Sequence, residues 1–133
     1  MASTCTACPA MPDRADSLRE RTMRFALRVP RFCRTLPPAW EARRIAEQLF
    51  RSSTSVAANY RAACRARSRR EFISKLGIVT EEADESVFWL TLLAQTEIAS
   101  GSELQALVAE ARELLAIFIA STKTATANRP HAN

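Results

Sequence analysis

Glycine is nearly missing from this chain: two residues in 133, Gly77 and Gly101. Hairpin turns and bulges draw on glycine's freedom at positive φ. Its scarcity therefore disfavours a β-rich fold, and the many Ala, Leu, Arg and Glu residues point to helices joined by short links. Histidine occurs once, at His131 near the C-terminus. A Ser-His or Cys-His hydrolase has no base within reach of its nucleophile, so that class is set aside. No apolar run approaches the roughly 18 residues needed to cross a bilayer. The opening MASTCTACPAMP has neither the charged n-region nor the apolar h-region of a signal peptide. The expectation is a cytoplasmic protein of one domain, with Met11 a second candidate start.

Cysteine is present but carries no framework. Cys5 and Cys8 form a C-x-x-C with no second pair and no neighbouring histidine, which leaves a zinc site incomplete. Cys33 and Cys64 fall inside helical patterns and read as small core residues. No metal site and no cofactor is expected.

Basic residues exceed acidic ones, 19 to 14, for a net charge of +5. Their distribution is more informative than the total. Residues 1–70 hold 15 basic and 5 acidic side chains, and residues 71–133 hold 4 and 9. Such asymmetry points to nucleic acid or to complementary association between subunits; its bland counterpart is a solvated basic surface.

Apolar periodicity predicts helices over about 17–35, 40–66, 69–96 and 102–123. In the first, Leu18, Thr22, Phe25, Ala26, Val29, Phe32, Cys33 and Leu36 make one stripe, with Asp16 or Ser17 as cap. Pro30 predicts a kink there, and Leu36-Pro37-Pro38 the stop. The second carries Ile45, Leu49, Val56 and Tyr60 inward past a run of small polar residues, Ser52 to Ser55. These let another helix approach and are read as satisfied interior hydroxyls. The third begins at a capping box, Ser68 with Glu71, and aligns Phe72, Leu76, Val79, Ala83, Val87, Leu90 and Ala94. Ser102 with Gln105 suggests a second capping box, followed by Leu104, Leu107, Val108, Ala111, Leu114, Leu115, Phe118 and Ile119. Four helices on short links give an all-α, antiparallel up-down-up-down four-helix bundle over 15–124, with disordered tails at 1–14 and 125–133. Cys33 and Cys64 then lie at opposite ends and cannot pair.

That topology gathers charge at one pole. Arg61, Arg65, Arg67, Arg69, Arg70 and Lys75 cluster around the second link, and the start of the first helix brings Arg14, Arg19 and Arg21 to them, with Lys123 and Arg129 nearby. Arg69 and Arg70 stand in the first turn of a helix, where the macrodipole disfavours cations. Phosphate contacts need no motif beyond such clustering, and the absence of interleaved aromatics argues against base-specific readout. The third helix is apolar on more than one side, including Ile73, Trp89 and Leu92, which suggests an interface in a homo-oligomer.

The segment LFRSSTSVAANYRAACRARSRREFISKLGIVTEEADESVFWLTLL, with its R-S-x-x-S-V-A-A-N-Y, S-R-x-E-F and E-E-A-D-E-x-x-x-W-L features, resembles the four-helix bundle family encoded within intervening sequences of 23S ribosomal RNA genes. RFALRVPRF and EARELLAIFIAS extend the resemblance over about residues 17–124. Ala62 departs from it, standing where many members carry a glutamate, and Pro30 interrupts the first helix. The resemblance implies kinship with the accessory variability protein of diversity-generating retroelements, a basic pentameric barrel that binds nucleic acid and a reverse transcriptase. It also implies a homopentamer and brings no catalytic residues.

Three function classes follow. The first is a non-enzymatic oligomer that binds RNA or DNA non-specifically or acts as an adaptor. The second is a purely structural oligomer. The third is a magnesium-dependent all-α nucleotide pyrophosphatase, in which Glu82-x-x-Glu85 and Glu110-x-x-Glu113 face one another; the weakness of so short a motif in Glu-rich helices ranks it last. A di-iron site ranks lower still, for want of any E-x-x-H pair.

Overall fold

A computed structural model describes residues 14–128 of the chain. Four helices make up the fold: α1 (Arg14–Cys33), α2 (Trp40–Cys64), α3 (Arg69–Gln95) and α4 (Ser102–Ala127). Each packs on the next, and α1 meets α4 to close an antiparallel bundle; the α1–α4 seam is the least extensive. The expected fold class is the observed one. Residues 1–13 and 129–133, where most of the two tails was expected, lie outside the described residues.

The helix ends differ from the expectation for local reasons. Residues 14–16 are already helical, so neither Asp16 nor Ser17 is the cap of α1. That helix continues through Pro30 to Cys33, where the Thr35 amide bonds the Phe32 carbonyl three residues back and tightens the exit. The same i−3 pattern at Arg65 and Ala66 ends α2 at Cys64. At α3 the Ser68 hydroxyl accepts the Glu71 amide at 3.0 Å, as expected, but the Glu71 carboxylate takes the amide of Arg67, 3.0 Å away. The second capping box does not form. Gly101, at φ 110, is the residue before α4, and Ser102 is inside the helix with no capping bond. That φ favours glycine and would strain any side chain. At its far end α4 runs four residues past the expected 123, with Thr122 and Thr126 hydroxyls bonding carbonyls one turn back.

The core is the stripe the periodicity marked. Phe25, Val29, Leu49, Val56, Leu76, Val79, Leu90, Leu107, Leu114 and Phe118 are fully buried. Ser52, Ser53 and Ser86 are also buried, at 0% exposure. The Ser86 hydroxyl lies 2.9 Å from both the Ser52 hydroxyl and the Glu82 carbonyl, either of which takes its one proton, while Ser52 donates to the Leu49 carbonyl. Two hydroxyls meeting across α2 and α3 bring the backbones close and fix their register. The breadth of apolar cover on α3 has a plain cause: this helix packs on both α2 and α4.

Among the described residues one buried side-chain polar atom is unsatisfied. The Thr91 hydroxyl is buried with no hydrogen-bond partner. Removing such a group recovers its desolvation cost, so Thr91→Val, which keeps the β-branched shape, is expected to raise stability by about 1 kcal/mol. A urea denaturation showing loss of stability would mean that the hydroxyl has a partner in solution.

Candidate nucleic-acid interface

Arginine in this bundle falls into two groups: those held by carboxylates and those left at the surface. Arg21 belongs to the first, contrary to the expectation that it joins the basic pole. It reaches Glu110 at 2.6 Å and Glu113 at 3.0 Å, tying α1 to α4 where their seam is thin. Arg28 bonds Glu103 at 3.3 Å lower on the same seam. Arg51 bonds Glu85 at 2.5 Å and Glu82 at 3.3 Å, tying α2 to α3.

These bridges also resolve the E-x-x-E pairs. Glu82 and Glu85 point to α2, and Glu110 and Glu113 to α1; each pair is occupied by its own arginine. They do not face one another, and no cluster of three or more potential metal-ligating His, Cys, Asp or Glu side chains occurs among the described residues. The sequence spacing was compatible with facing pairs, but the rotation of each helix was not legible from it.

Arg51, and behind it the Trp89 indole N–H at 3.1 Å, hold the Glu85 carboxyl below the ordinary glutamate range. A carboxyl whose folded pKa is depressed stabilises the fold above its unfolded pKa, and the contribution disappears as pH falls through the folded value. Arg51 is half exposed, so solvent screening keeps the effect below about 1 kcal/mol. Glu85→Gln is therefore expected to lower stability slightly at pH 7 and to leave it unchanged under acid conditions, as read by thermal melts across that range. Burial alone pushes the Cys33 thiol up to about 11. Cys33 and Cys64 are both free.

The second group gathers at the expected pole, in three places. Arg61 and Arg65 line an open groove between α1 and α2 together with Arg19, Met23, Arg24 and Ala57, with Glu20 the one acid in its wall. Arg67 and Arg70 are exposed in the link and the first turn of α3, and Lys75 is half-buried one turn on. Among the described residues Arg24, Arg61, Arg65, Arg70 and Lys75 engage no carboxylate. Arg69 has a different task. Its guanidinium donates to the Asn128 carbonyl just past the end of α4. A cation unfavourable at the start of its own helix thus sits favourably at the end of another. Arg24 was legible as a basic residue of the first helix, but only the crossing of α1 over α2 brings it to this groove.

The expected interface residues are largely committed within the subunit. Trp89 and Leu92 pack against the bundle's own core, and Ile73 is half-buried. The large apolar side chains left outermost are Phe88, Met23, Leu27, Phe50, Trp40, Ile78 and Ile119.

The family described as 23S rRNA-intervening sequence protein matches residues 17–120, most of the chain. The chain belongs to that family. A crystal structure of a family relative, a protein of unknown function from the S23 ribosomal protein family of Bacteroides thetaiotaomicron, is similar at a TM-score of 0.74 and 30% identity, covering 82% of this chain and 97% of the relative. No curated protein matches. The intervening-sequence family thus fixes the bundle and leaves its biochemistry open. Among the described residues of this member, no helix is long and apolar enough to cross a membrane.

Proposed function

We propose that this member of the intervening-sequence family is a non-enzymatic homo-oligomer, in keeping with the pentamer that its family resemblance implies, and that its arginine pole binds RNA or DNA without sequence preference. One observation carries the reading: Arg61, Arg65, Arg67 and Arg70 all stand exposed around the link between α2 and α3, while Arg21, Arg28 and Arg51 are spent on internal bridges. Sequestering some arginines and leaving a coherent set uncovered is what a phosphate-binding surface requires. Repetition of the pole around an oligomer multiplies its affinity through effective concentration.

The test replaces Arg61, Arg65, Arg67 and Arg70 by glutamine and measures fluorescence anisotropy with labelled single- and double-stranded oligonucleotides of several sequences. Arg69 is left in place because it bonds the end of α4. Affinity is expected to fall at least tenfold on every sequence alike, with the circular dichroism spectrum unchanged. Unchanged affinity in a folded variant leaves the pole a solvated surface and favours the purely structural oligomer.

A further inference from the structure

We infer that copies of this chain join head to tail, the outer stripe of α3 on one copy seating in the groove between α1 and α2 of the next. The inference rests on the self-assembly part of the reading above and names the two faces that meet.

Met23 lines the groove among its basic residues, and Leu27 on α1 and Phe50 on α2 extend its apolar surface away from the pole. Met23, Leu27 and Phe50 are each about half exposed, at 49%, 48% and 50%. Met23 and Leu27 are one turn apart on α1, and Phe50 lies two turns before Ala57 on α2, the residue that shares the groove with Met23. Arg24 and Arg31, exposed and without a carboxylate partner among the described residues, flank Leu27 along the helix.

The α3 stripe is the counterpart in charge. Gly77, Glu81, Asp84 and Phe88 follow at intervals of four, three and four residues, one helical face, and all are exposed. Phe88 is 55% exposed. Unlike Glu82 and Glu85, Glu81 and Asp84 engage no arginine among the described residues. Gly77 adds an independent sign. A glycine inside a helix costs about 1 kcal/mol relative to alanine, yet an added Cβ there would meet nothing within 4 Å. Nothing inside the subunit calls for it, whereas close approach by a neighbouring backbone does.

The two faces also match in height. Ser52 and Ser86 touch across α2 and α3, so in antiparallel helices Phe50 and Phe88 lie level, as do Ala57 and Glu81. Met23 and Arg24 share the groove with Ala57, which places them level with Glu81. A ring whose axis runs along the bundles therefore brings Glu81 of one copy to Arg24 of the next, and Phe88 to Leu27 and Phe50. The two faces differ, so the contact is heterologous, and it closes as a ring when the rotation between neighbours divides a full turn evenly. Arg24 is then spent on the contact, and the poles formed by Arg61, Arg65, Arg67 and Arg70 at the α2–α3 link all lie on one rim.

The experiment is a charge exchange read by light scattering. Three variants are compared with the unmodified chain: Arg24→Glu with Arg31→Glu; Glu81→Arg with Asp84→Arg; and all four substitutions together. The unmodified chain is expected at a multiple of its 14.8 kDa mass. Each two-residue variant is expected as a folded monomer, and the four-residue variant is expected to reassemble. Rescue by the combined reversal excludes misfolding as the cause of dissociation. If the unmodified chain assembles but the two-residue variants stay assembled, or the four-residue variant stays monomeric, the faces named here are wrong while self-assembly stands. An unmodified chain that is monomeric at micromolar concentration overturns the self-assembly reading itself, and this inference with it.

Discussion

Ser86→Leu is expected to destabilise the bundle by about 3 kcal/mol, far more than Ser86→Ala at about 1 kcal/mol. Ser86 has 0% exposure and its oxygen lies 2.9 Å from that of Ser52, also fully buried. The α2–α3 packing is the most extensive in the molecule. A leucine there has no space to enter and must push the helices apart. Overpacking, not the lost hydrogen bond, dominates, because Ser52 keeps its bond to the Leu49 carbonyl. Urea denaturation of the two variants separates the terms: equal losses would mean that the contact is loose enough to absorb the side chain.

A second large effect belongs to the arginine pole's underside. Phe118, at 0% exposure, stacks tilted on Tyr60 with ring centroids 5.6 Å apart. Together they fasten the last turns of α4 to the last turns of α2, close to where Arg69 takes the end of α4. Phe118→Ala removes a whole ring from a site walled by several helices and is expected to cost about 3–5 kcal/mol. Phe118→Leu, which retains most of the volume, is expected to cost about 1 kcal/mol. Chemical denaturation reads both; a loss below about 1 kcal/mol for the alanine variant would show that the pole collapses around the void.

The bundle was legible because its signal is repetitive. Each helix shows its buried face several times over, so Leu49, Val56, Leu76, Leu90 and Leu107 mark it redundantly. Caps and ends depend on single residues and were less legible: Ser68 caps α3 as expected while Glu71 reaches one residue further back, to Arg67, whereas Ser102 with Gln105 has a like spacing and makes no cap, because Gly101 already turns the chain into α4. The candidate site was legible as a set of cations and not as an arrangement. Nothing in the spacing distinguishes Arg21, which bridges α1 to α4, from Arg24 three residues on, which faces solvent. That difference is set by which neighbour each side of a helix meets. For the same reason Trp89 and Leu92 looked like excess apolar surface on α3: one helix read alone does not reveal that its neighbours pack against them.

Binding of the unmodified protein to a mixed-sequence duplex, followed from 50 to 400 mM salt by anisotropy, tests the central claim most directly. Each phosphate neutralised releases counterions and contributes about 0.9 to the slope of log affinity against log salt on duplex DNA. If Arg61, Arg65, Arg67 and Arg70 each engage a phosphate, the slope is about −3.6 for one pole and steeper if several poles act together. The same slope on unrelated sequences is the predicted result. No measurable binding at the lowest salt, or binding with a slope near zero, would contradict the account.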